Sequence, residues 1–111
     1  MSITLAELGE AELLGRLARF APPGQLNADT ALLPPDSRAL LLNTDVMVEG
    51  VHFSDATTAP ADVGWRAVVA NLSDLAASGS EQVEGITVGL VAPGTTSWWW
   101  IEQVYQGISE A

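Results

Sequence analysis

The sequence predicts an α+β fold in which a mostly antiparallel sheet of about four strands is covered by helices. Residues 60–78 and the segment from about 97 onward repeat apolar side chains at the spacing of an amphipathic helix. Aliphatic runs at 39–43 and 85–92 are typical of buried strands. The resulting order is helix, three strands, helix, strand and helix. Grouped strands of this kind favour an antiparallel sheet over an alternating α/β arrangement.

The first helix is predicted over residues 5–20. Glutamates occupy its early turns and arginines its last turns, which is the charge order that the helix dipole favours. The Ala-Pro-Pro-Gly run at 21–24 ends it. Its apolar stripe consists of Leu8, Leu13, Leu14, Leu17 and Phe20.

Three extended segments should follow the first helix. Residues 30–33 predict a short strand, and the Pro-Pro-Asp-Ser run at 34–37 predicts a turn. Residues 39–43 predict a buried strand, because the run is continuously aliphatic. Val46 and Val48 indicate another extended piece, broken near Gly50.

The second helix should begin near Pro60 and end at Gly79, since proline suits the first helical turn and glycine the residue after the last. The side opposite its apolar stripe is small and polar, which indicates packing or binding there. That side consists of Ala67, Ala70, Asn71, Asp74 and Ser78. A strand at 85–92 and a turn at 93–94 come next.

The last helix should begin near Ser97 and use one apolar face, formed by Ile101, Val104, Tyr105 and Ile108. Three consecutive tryptophans open it, Trp98 to Trp100. Neighbouring helical positions point in different directions, so the three cannot all face one core. At least one of them should be exposed or packed on another chain.

Composition limits the possible functions. The 111 residues fit a single domain, residues 1–111, and 48% are apolar, so the chain should fold. It has no cysteine, which excludes thiolate metal sites and disulfides. No basic-then-apolar leader is apparent, and no apolar run approaches the roughly 20 residues of a membrane span. We therefore expect a cytoplasmic protein that does not bind membranes.

Net charge is the sharper constraint. Fourteen acidic residues face four arginines and no lysine, for a formal charge of -10. That balance argues against nucleic-acid binding, which requires a basic surface. It also argues against capture of phosphates by side-chain cations, so a phosphate-handling protein of this composition would need magnesium held by carboxylates.

Three side chains are candidates for a functional site. Asp45 follows an aliphatic strand and Asp74 lies within an apolar helix, where a charge is costly unless a cation meets it. A turn aspartate that accepts from nearby N–H groups is the alternative for Asp45, and a solvent-exposed helical residue is the alternative for Asp74. His52 is the sole histidine, and most such histidines are structural. The chain has no glycine-rich phosphate loop with lysine, dinucleotide fingerprint or nucleophile elbow.

Two ordered motifs resemble those of the thiamine-monophosphate kinases. Residues 44–53 are similar to that family's Thr-Asp-x-Leu-Val-Glu-Gly-Val-His-Phe signature. Residues 64–67 and 71–79 resemble the helix that follows it, and Trp100, Tyr105 and Gly107 fit a Trp-x-x-x-x-Tyr-x-Gly pattern. The resemblance covers nearly the whole chain. It implies the N-terminal domain of the aminoimidazole-ribonucleotide synthetase-like fold.

The resemblance also implies an activity, its ligands and its partner. Family members phosphorylate thiamine monophosphate to thiamine diphosphate with ATP and several Mg²⁺ ions, by direct phosphoryl transfer that needs no side-chain nucleophile. The family's metal-binding positions map onto Asp29, Asn43, Thr44, Asp45 and Asp74. The substrate-contacting histidine maps onto His52. The domain is expected to form homodimers.

This chain departs from the family in two ways. Where members carry Gly-Ile-Gly-Asp-Asp, residues 25–29 read Gln-Leu-Asn-Ala-Asp, which keeps Asp29 but loses its acidic neighbour and both glycines. Members are also about three times longer, so the chain is expected to be inactive alone and to lack their C-terminal domain. A non-catalytic dimerisation or regulatory module is the main alternative. Another superfamily enzyme, such as a selenophosphate synthetase or a hydrogenase maturation factor, fits the motifs less well.

Overall fold

The computed structural model describes residues 3–27 and 38–111. Its α-helices are α1 (Leu5–Leu8), α2 (Glu10–Leu17), α3 (Pro60–Ala77) and α4 (Trp98–Glu110). Two short 3₁₀ turns, Ala18–Phe20 and Gln25–Asn27, follow α2. The predicted helix at 60–78 is therefore confirmed within a residue of each end, and the predicted last helix begins within a residue of Ser97.

The core of the described molecule is the contact between α3 and α4. Val63 of α3 and Ile101 and Val104 of α4 are all buried. Gly64 and Gly107 are also buried where the helices meet. Because glycine has no Cβ, each lets the backbone of the other helix approach closely. A methyl group at Gly64 would overlap the carbonyl of Val104, and one at Gly107 would overlap that of Ala61.

The N-terminal segment is joined to the start of α4 by backbone hydrogen bonds. The amide of Leu5 donates to the carbonyl of Thr96 over 2.8 Å, and the amide of Trp98 donates to that of Ile3 over 2.7 Å. Thr4 caps α1 in a reciprocal capping box with Glu7. These bonds hold the N-terminal segment beside α4, and Arg19, in the 3₁₀ turn after α2, pairs with Glu102 of α4 over 2.8 Å.

The single predicted helix over residues 5–20 is divided at Gly9. This glycine has φ 76°, which the right-handed helix cannot accommodate, and it ends α1 before α2 begins. Part of the predicted apolar stripe still packs against the rest of the protein, as expected. Leu17 is buried, and the ring of Phe20 lies 5.4 Å from that of Tyr105 in α4.

The predicted antiparallel sheet is wrong for the part of the chain that the structure describes. Neither 39–43 nor 85–92 forms a strand, and only isolated bridges occur, Thr4 with Ser97 and Glu49 with Phe53. The predicted strand at 30–33 lies outside the described residues. Aliphatic composition expresses a local preference, whereas a strand also needs a hydrogen-bonded partner from elsewhere. Residues 39–43 and 85–92 have no such partner among the described segments.

Apolar side chains in these segments consequently face solvent. Leu42 is 93% exposed and Val91 101% exposed, where burial was expected. The radius of gyration, 15.2 Å, exceeds the roughly 13 Å typical of a compact domain of about 100 residues. The described chain thus has one helical core and a large uncovered apolar surface.

The tryptophan triplet at 98–100 lies partly outside the core. Trp99 is 53% exposed, which confirms the expectation that one tryptophan of the triplet would lie outside the core. Of the helices in the described ranges, none combines the length and the apolar character that crossing a bilayer requires.

Candidate functional site

An amide-to-amide contact joins the segment before Asp45 to helix α3. The side-chain nitrogen of Asn43 donates to the side-chain oxygen of Asn71 over 3.1 Å, and to its backbone carbonyl over 3.4 Å. Asn71 in turn donates to the carbonyl of Ala67 over 2.8 Å. This second bond orients the Asn71 amide so that its oxygen faces Asn43. Both asparagines are half-buried, so water competes less for these bonds.

The contact gives Asn43 a role that the sequence did not suggest. It was predicted to lie at a metal, but its NH₂ group is engaged with α3. Asn71 was noted only as part of the small polar face of its helix. That face is therefore where the chain segment carrying Thr44 and Asp45 meets α3.

Asp45 and Asp74 both lie at the surface. One carboxylate oxygen of Asp45 accepts the N–H of Val46 over 2.9 Å, the turn contact that was the alternative interpretation of this residue. Asp74 is exposed near the end of α3, one turn beyond Asn71. The premise that these charges sit in apolar surroundings is therefore wrong, because the helix and the turn leave both carboxylates in water.

No group of three or more carboxylate and histidine side chains within 3–27 and 38–111 lies close enough to hold a metal ion. Asp29, the remaining predicted metal ligand, lies outside the described residues. Thr44 is exposed beside Asp45. The structure thus brings the Thr44–Asp45 segment to the helix of Asp74 without assembling a complete ligand set from the described residues.

His52 lies in a tight turn formed by residues 48–53. Gly50 adopts φ 80°, and its amide donates to the carbonyl of Phe53 over 2.7 Å. The amide of His52 donates to the carbonyl of Val48 over 2.8 Å. The imidazole Nδ1 accepts the N–H of Val48 over 2.9 Å, so the ring itself closes the turn.

Side chains from both long helices, α3 and α4, contact this turn. Arg66 of α3 donates from its guanidinium to the carbonyl of His52 over 2.9 Å. Trp100 of α4 stacks on Phe53, with ring centroids 6.3 Å apart and planes inclined by 24°. The indole N–H of Trp100 also donates to the carboxylate of Asp55 over 2.8 Å. The exposed histidine is therefore presented on an anchored turn.

Sequence reasoning did not identify Arg66 as a site residue. Asp62 stands four residues before it on α3, a spacing that would ordinarily predict an ion pair along the helix. The guanidinium binds a backbone carbonyl instead. The scarcity of cations was a signal that could have pointed to Arg66. Because the chain has only four arginines and no lysine, few side chains can bind an anion, and each arginine is a candidate.

Comparison with known proteins identifies the family. Residues 27–111 match the family model described as "AIR synthase related protein, N-terminal domain". No solved structure matches the chain.

Curated relatives agree with this match. The chain is 53% identical over 107 residues to the thiamine-monophosphate kinase of Prochlorococcus marinus, covering 96% of this chain and 32% of that protein. It is 50% identical over 106 residues to the Synechococcus elongatus thiamine-monophosphate kinase, covering 95% and 32%. The Aquifex aeolicus enzyme of the same name is 35% identical over 107 residues, covering 96% and 34%.

The chain thus spans about a third of the length of the curated relatives it matches. The family match covers the turn that presents His52, the Asn43–Asn71 contact and both long helices. The resemblance seen in residues 44–53 and 71–79 is confirmed by these independent matches. The chain belongs to the AIR synthase related proteins and corresponds to the N-terminal domain of that family.

Proposed function

We propose that the chain is the metal- and substrate-binding N-terminal part of a cytoplasmic, ATP-dependent kinase that converts thiamine monophosphate to thiamine diphosphate. The observation that carries the proposal is the similarity to proteins named thiamine-monophosphate kinase, which extends over 95% or more of this chain in two cyanobacterial relatives. Because the match covers about a third of each relative, the complete activity requires protein beyond these residues.

The oxygen donors of the candidate site fit magnesium. Mg²⁺ prefers carboxylate and water oxygens, and Asp45 and Asp74 offer exposed carboxylates. One Asp45 oxygen is engaged with Val46, which leaves the other for a metal. The bond between Asn43 and Asn71 supports a shared site, because it holds the Asp45 segment against the helix that carries Asp74. Asp29 and Thr44 would complete the ligand set.

In the proposed phosphoryl transfer, the protein acts by positioning the metal and the substrate. Bound Mg²⁺ would neutralise charge on the transferring phosphoryl group. Asp45 and Asp74 would hold the metal, and His52 would contact the substrate on its anchored turn. The acceptor is a phosphate oxygen, which is already nucleophilic, so no residue of this chain needs to act as a nucleophile or base.

Thermal unfolding with Mg²⁺ and a non-hydrolysable ATP analogue tests the metal site. A ligand at about 100 times its Kd that binds only the folded state stabilises it by roughly 2.7 kcal/mol. We expect such stabilisation in the native chain and its loss in Asp45→Asn and Asp74→Asn. Asp62→Asn is the matched control, since it removes the same charge from the exposed first turn of α3.

The outcomes separate the two functional hypotheses. Stabilisation that both site variants lose and Asp62→Asn keeps would support the kinase assignment. An absence of stabilisation in the native chain, with site variants as stable as it is, would favour the non-catalytic module.

We also propose that the chain forms a homodimer through its uncovered apolar segments. Exposed aliphatic side chains are concentrated in residues 40–51 and 83–91. Large exposed apolar patches mark protein interfaces. The exposed members there are Leu40, Leu41, Leu42, Val46, Val48, Val51, Val83, Ile86, Val88 and Val91. This surface is the observation that favours a dimerisation module as the second candidate function.

Sedimentation velocity at micromolar concentration tests the dimer. We expect a dimer for the native chain and a shift toward monomer for Leu42→Asp, because a carboxylate would then be buried without a partner. Ala111→Asp adds the same charge at an exposed end and should sediment like the native chain. A native chain that sediments as a monomer would refute this proposal.

A further inference from the structure

Among the residues that the structure describes, Arg66 is the arginine without a carboxylate partner, in a strongly acidic chain. The other arginines have carboxylate partners: Arg16 pairs with Glu12 over 3.1 Å, Arg19 with Glu102 over 2.8 Å and Arg38 with Glu84 over 3.5 Å. Within the described ranges, the hydrogen-bond acceptor of the Arg66 guanidinium is the neutral carbonyl of His52, over 2.9 Å. A guanidinium has five N–H donors, so this contact leaves most of them available. Arg66 is also exposed, and a ligand can reach it.

His52 supplies a second donor at the same turn. Its Nδ1 accepts the N–H of Val48 over 2.9 Å, and a ring nitrogen that accepts a hydrogen bond carries no proton. The neutral imidazole therefore holds its proton on Nε2. Because His52 is exposed, this outward N–H is available to a ligand. The backbone of the turn thus fixes which end of the histidine donates.

We infer that Arg66 and His52 form an anion-binding pair that takes a phosphate group. His52 offers its N–H from the turn, and Arg66, held to the same turn by its bond to the His52 carbonyl, offers further N–H donors and the positive charge. The planar guanidinium matches the spacing of phosphate oxygens and can bind two of them at once.

This pair refines the expectation drawn from composition. With a net charge of -10, side-chain cations seemed unable to capture phosphate, and magnesium was left to do so. Arg66 is the one described guanidinium without an acidic partner, and it donates to the backbone of the histidine turn from α3. The assignment of the anion to a phosphate ester of the substrate rests on the proposed kinase function, whereas anion binding by the pair does not.

The test uses inorganic phosphate as the probe, without magnesium or nucleotide. Since the chain has a single histidine, ¹⁵N-histidine labelling gives one pair of imidazole nitrogen signals. At a pH where the ring is neutral, we expect a protonated Nε2 and an unprotonated Nδ1. Phosphate should shift the Nε2 signal saturably. A protonated Nδ1, or a shift that does not saturate, would overturn the inference.

Substitutions of Arg66 test whether its positive charge contributes to phosphate binding. Arg66→Gln keeps a donor for the carbonyl of His52 but removes the charge, and should weaken phosphate binding by about tenfold or more. Arg66→Lys keeps the charge and should lose less. Arg16→Gln removes an arginine that already has a partner and should bind like the native chain. Equal affinities for native and Arg66→Gln proteins would refute the role of Arg66.

Two substitutions of His52 distinguish its role in closing the turn from its role in binding phosphate. His52→Gln places an amide near the position of Nε2, and His52→Asn places an oxygen near that of Nδ1, where it can accept from Val48. We expect phosphate binding to survive better in His52→Gln, while the turn survives better in His52→Asn. The reverse order of affinities would contradict the assignment of Nε2 as the donor. Because magnesium is absent, failure here is distinguishable from failure of the metal site.

Discussion

Gly64 in α3 packs directly against the backbone carbonyl of Val104 in α4. Gly107 makes the reciprocal approach to Ala61, so the two longest helices contact each other through main-chain atoms at two points. The α3–α4 pair in turn supports both the Asn43 contact and the histidine turn.

A methyl group at either glycine should therefore destabilise the protein. Gly64→Ala and Gly107→Ala must push the helices apart, and overpacking of this kind costs about 1–3 kcal/mol of unfolding free energy or more. Gly15→Ala is the control, since a Cβ there meets open space and replacing a helical glycine usually adds about 0.5–1 kcal/mol. Urea unfolding measures all three, and equal stabilities would show that the close approach is unimportant.

The contact between Asn43 and Asn71 should be measurable as a coupling energy. Asn43→Ala, Asn71→Ala and the double variant form a cycle, and a half-buried amide pair should couple by about 1 kcal/mol. Chemical unfolding supplies each free energy. Ser73→Ala, at an exposed position on the same helix, should change stability little and show no coupling to Asn43. Additive effects of the two asparagine changes would contradict the link.

Alkaline pH should destabilise the fold through Tyr105. Desolvation by burial raises the pKa of its phenol above the ordinary 10.0, so the unfolded chain loses the proton first. The unfolding free energy should stay level below pH 10.0 and fall as the pH rises from there through the folded pKa. The chain has one tyrosine and no lysine, so tyrosinate absorbance reports this group directly.

Tyr105→Phe is the control for that pH dependence. It keeps the ring against Phe20 and removes the titrating hydroxyl. Its stability should remain level across the interval in which the native chain weakens. A native tyrosinate midpoint at or below the ordinary value would show that the ring is not desolvated.

Replacing Trp100 by phenylalanine should loosen the histidine turn without abolishing it. The aromatic contact with Phe53 can persist, but the hydrogen bond to Asp55 is lost. A bond to a charged acceptor contributes about 1.5–3 kcal/mol, less when exposed, so we expect a loss near the lower figure. Hydrogen exchange of the His52 amide should accelerate in Trp100→Phe. Trp99→Phe, at the exposed position of the triplet, should leave it unchanged.

The helices were predictable because their signals are local. Pro60 begins α3 and Ser97 caps α4 by accepting the N–H of Trp100, and both residues act within one turn of their own position. The break at Gly9 was missed, since a helical glycine and a glycine that ends a helix look alike in sequence. The sheet failed for a different reason. Leu42 and Val91 have the composition of strand residues, yet pairing depends on distant segments that composition does not specify.

The residues of the candidate site were likewise predictable where the signal is local, and not where it depends on the fold. His52 and Asp45 were found because they lie within one continuous motif. Arg66 was missed because its importance comes from a contact between residues 14 positions apart in sequence. Asn71 was noticed for its helical face, but its partner Asn43 could be identified only from the fold.

The hydrogen bonds that join Ile3 and Leu5 to the start of α4 have a consequence for the order of folding. They join the beginning of the described chain to residues 96–98, whereas α3 and α4 are separated only by residues 78–97. Since the entropy lost in closing a loop grows with its length, the helix pair can form before the terminal segment docks. The N-terminal segment should then be the last part to assemble and the first to detach, opening one edge of α4 while the remainder stays intact.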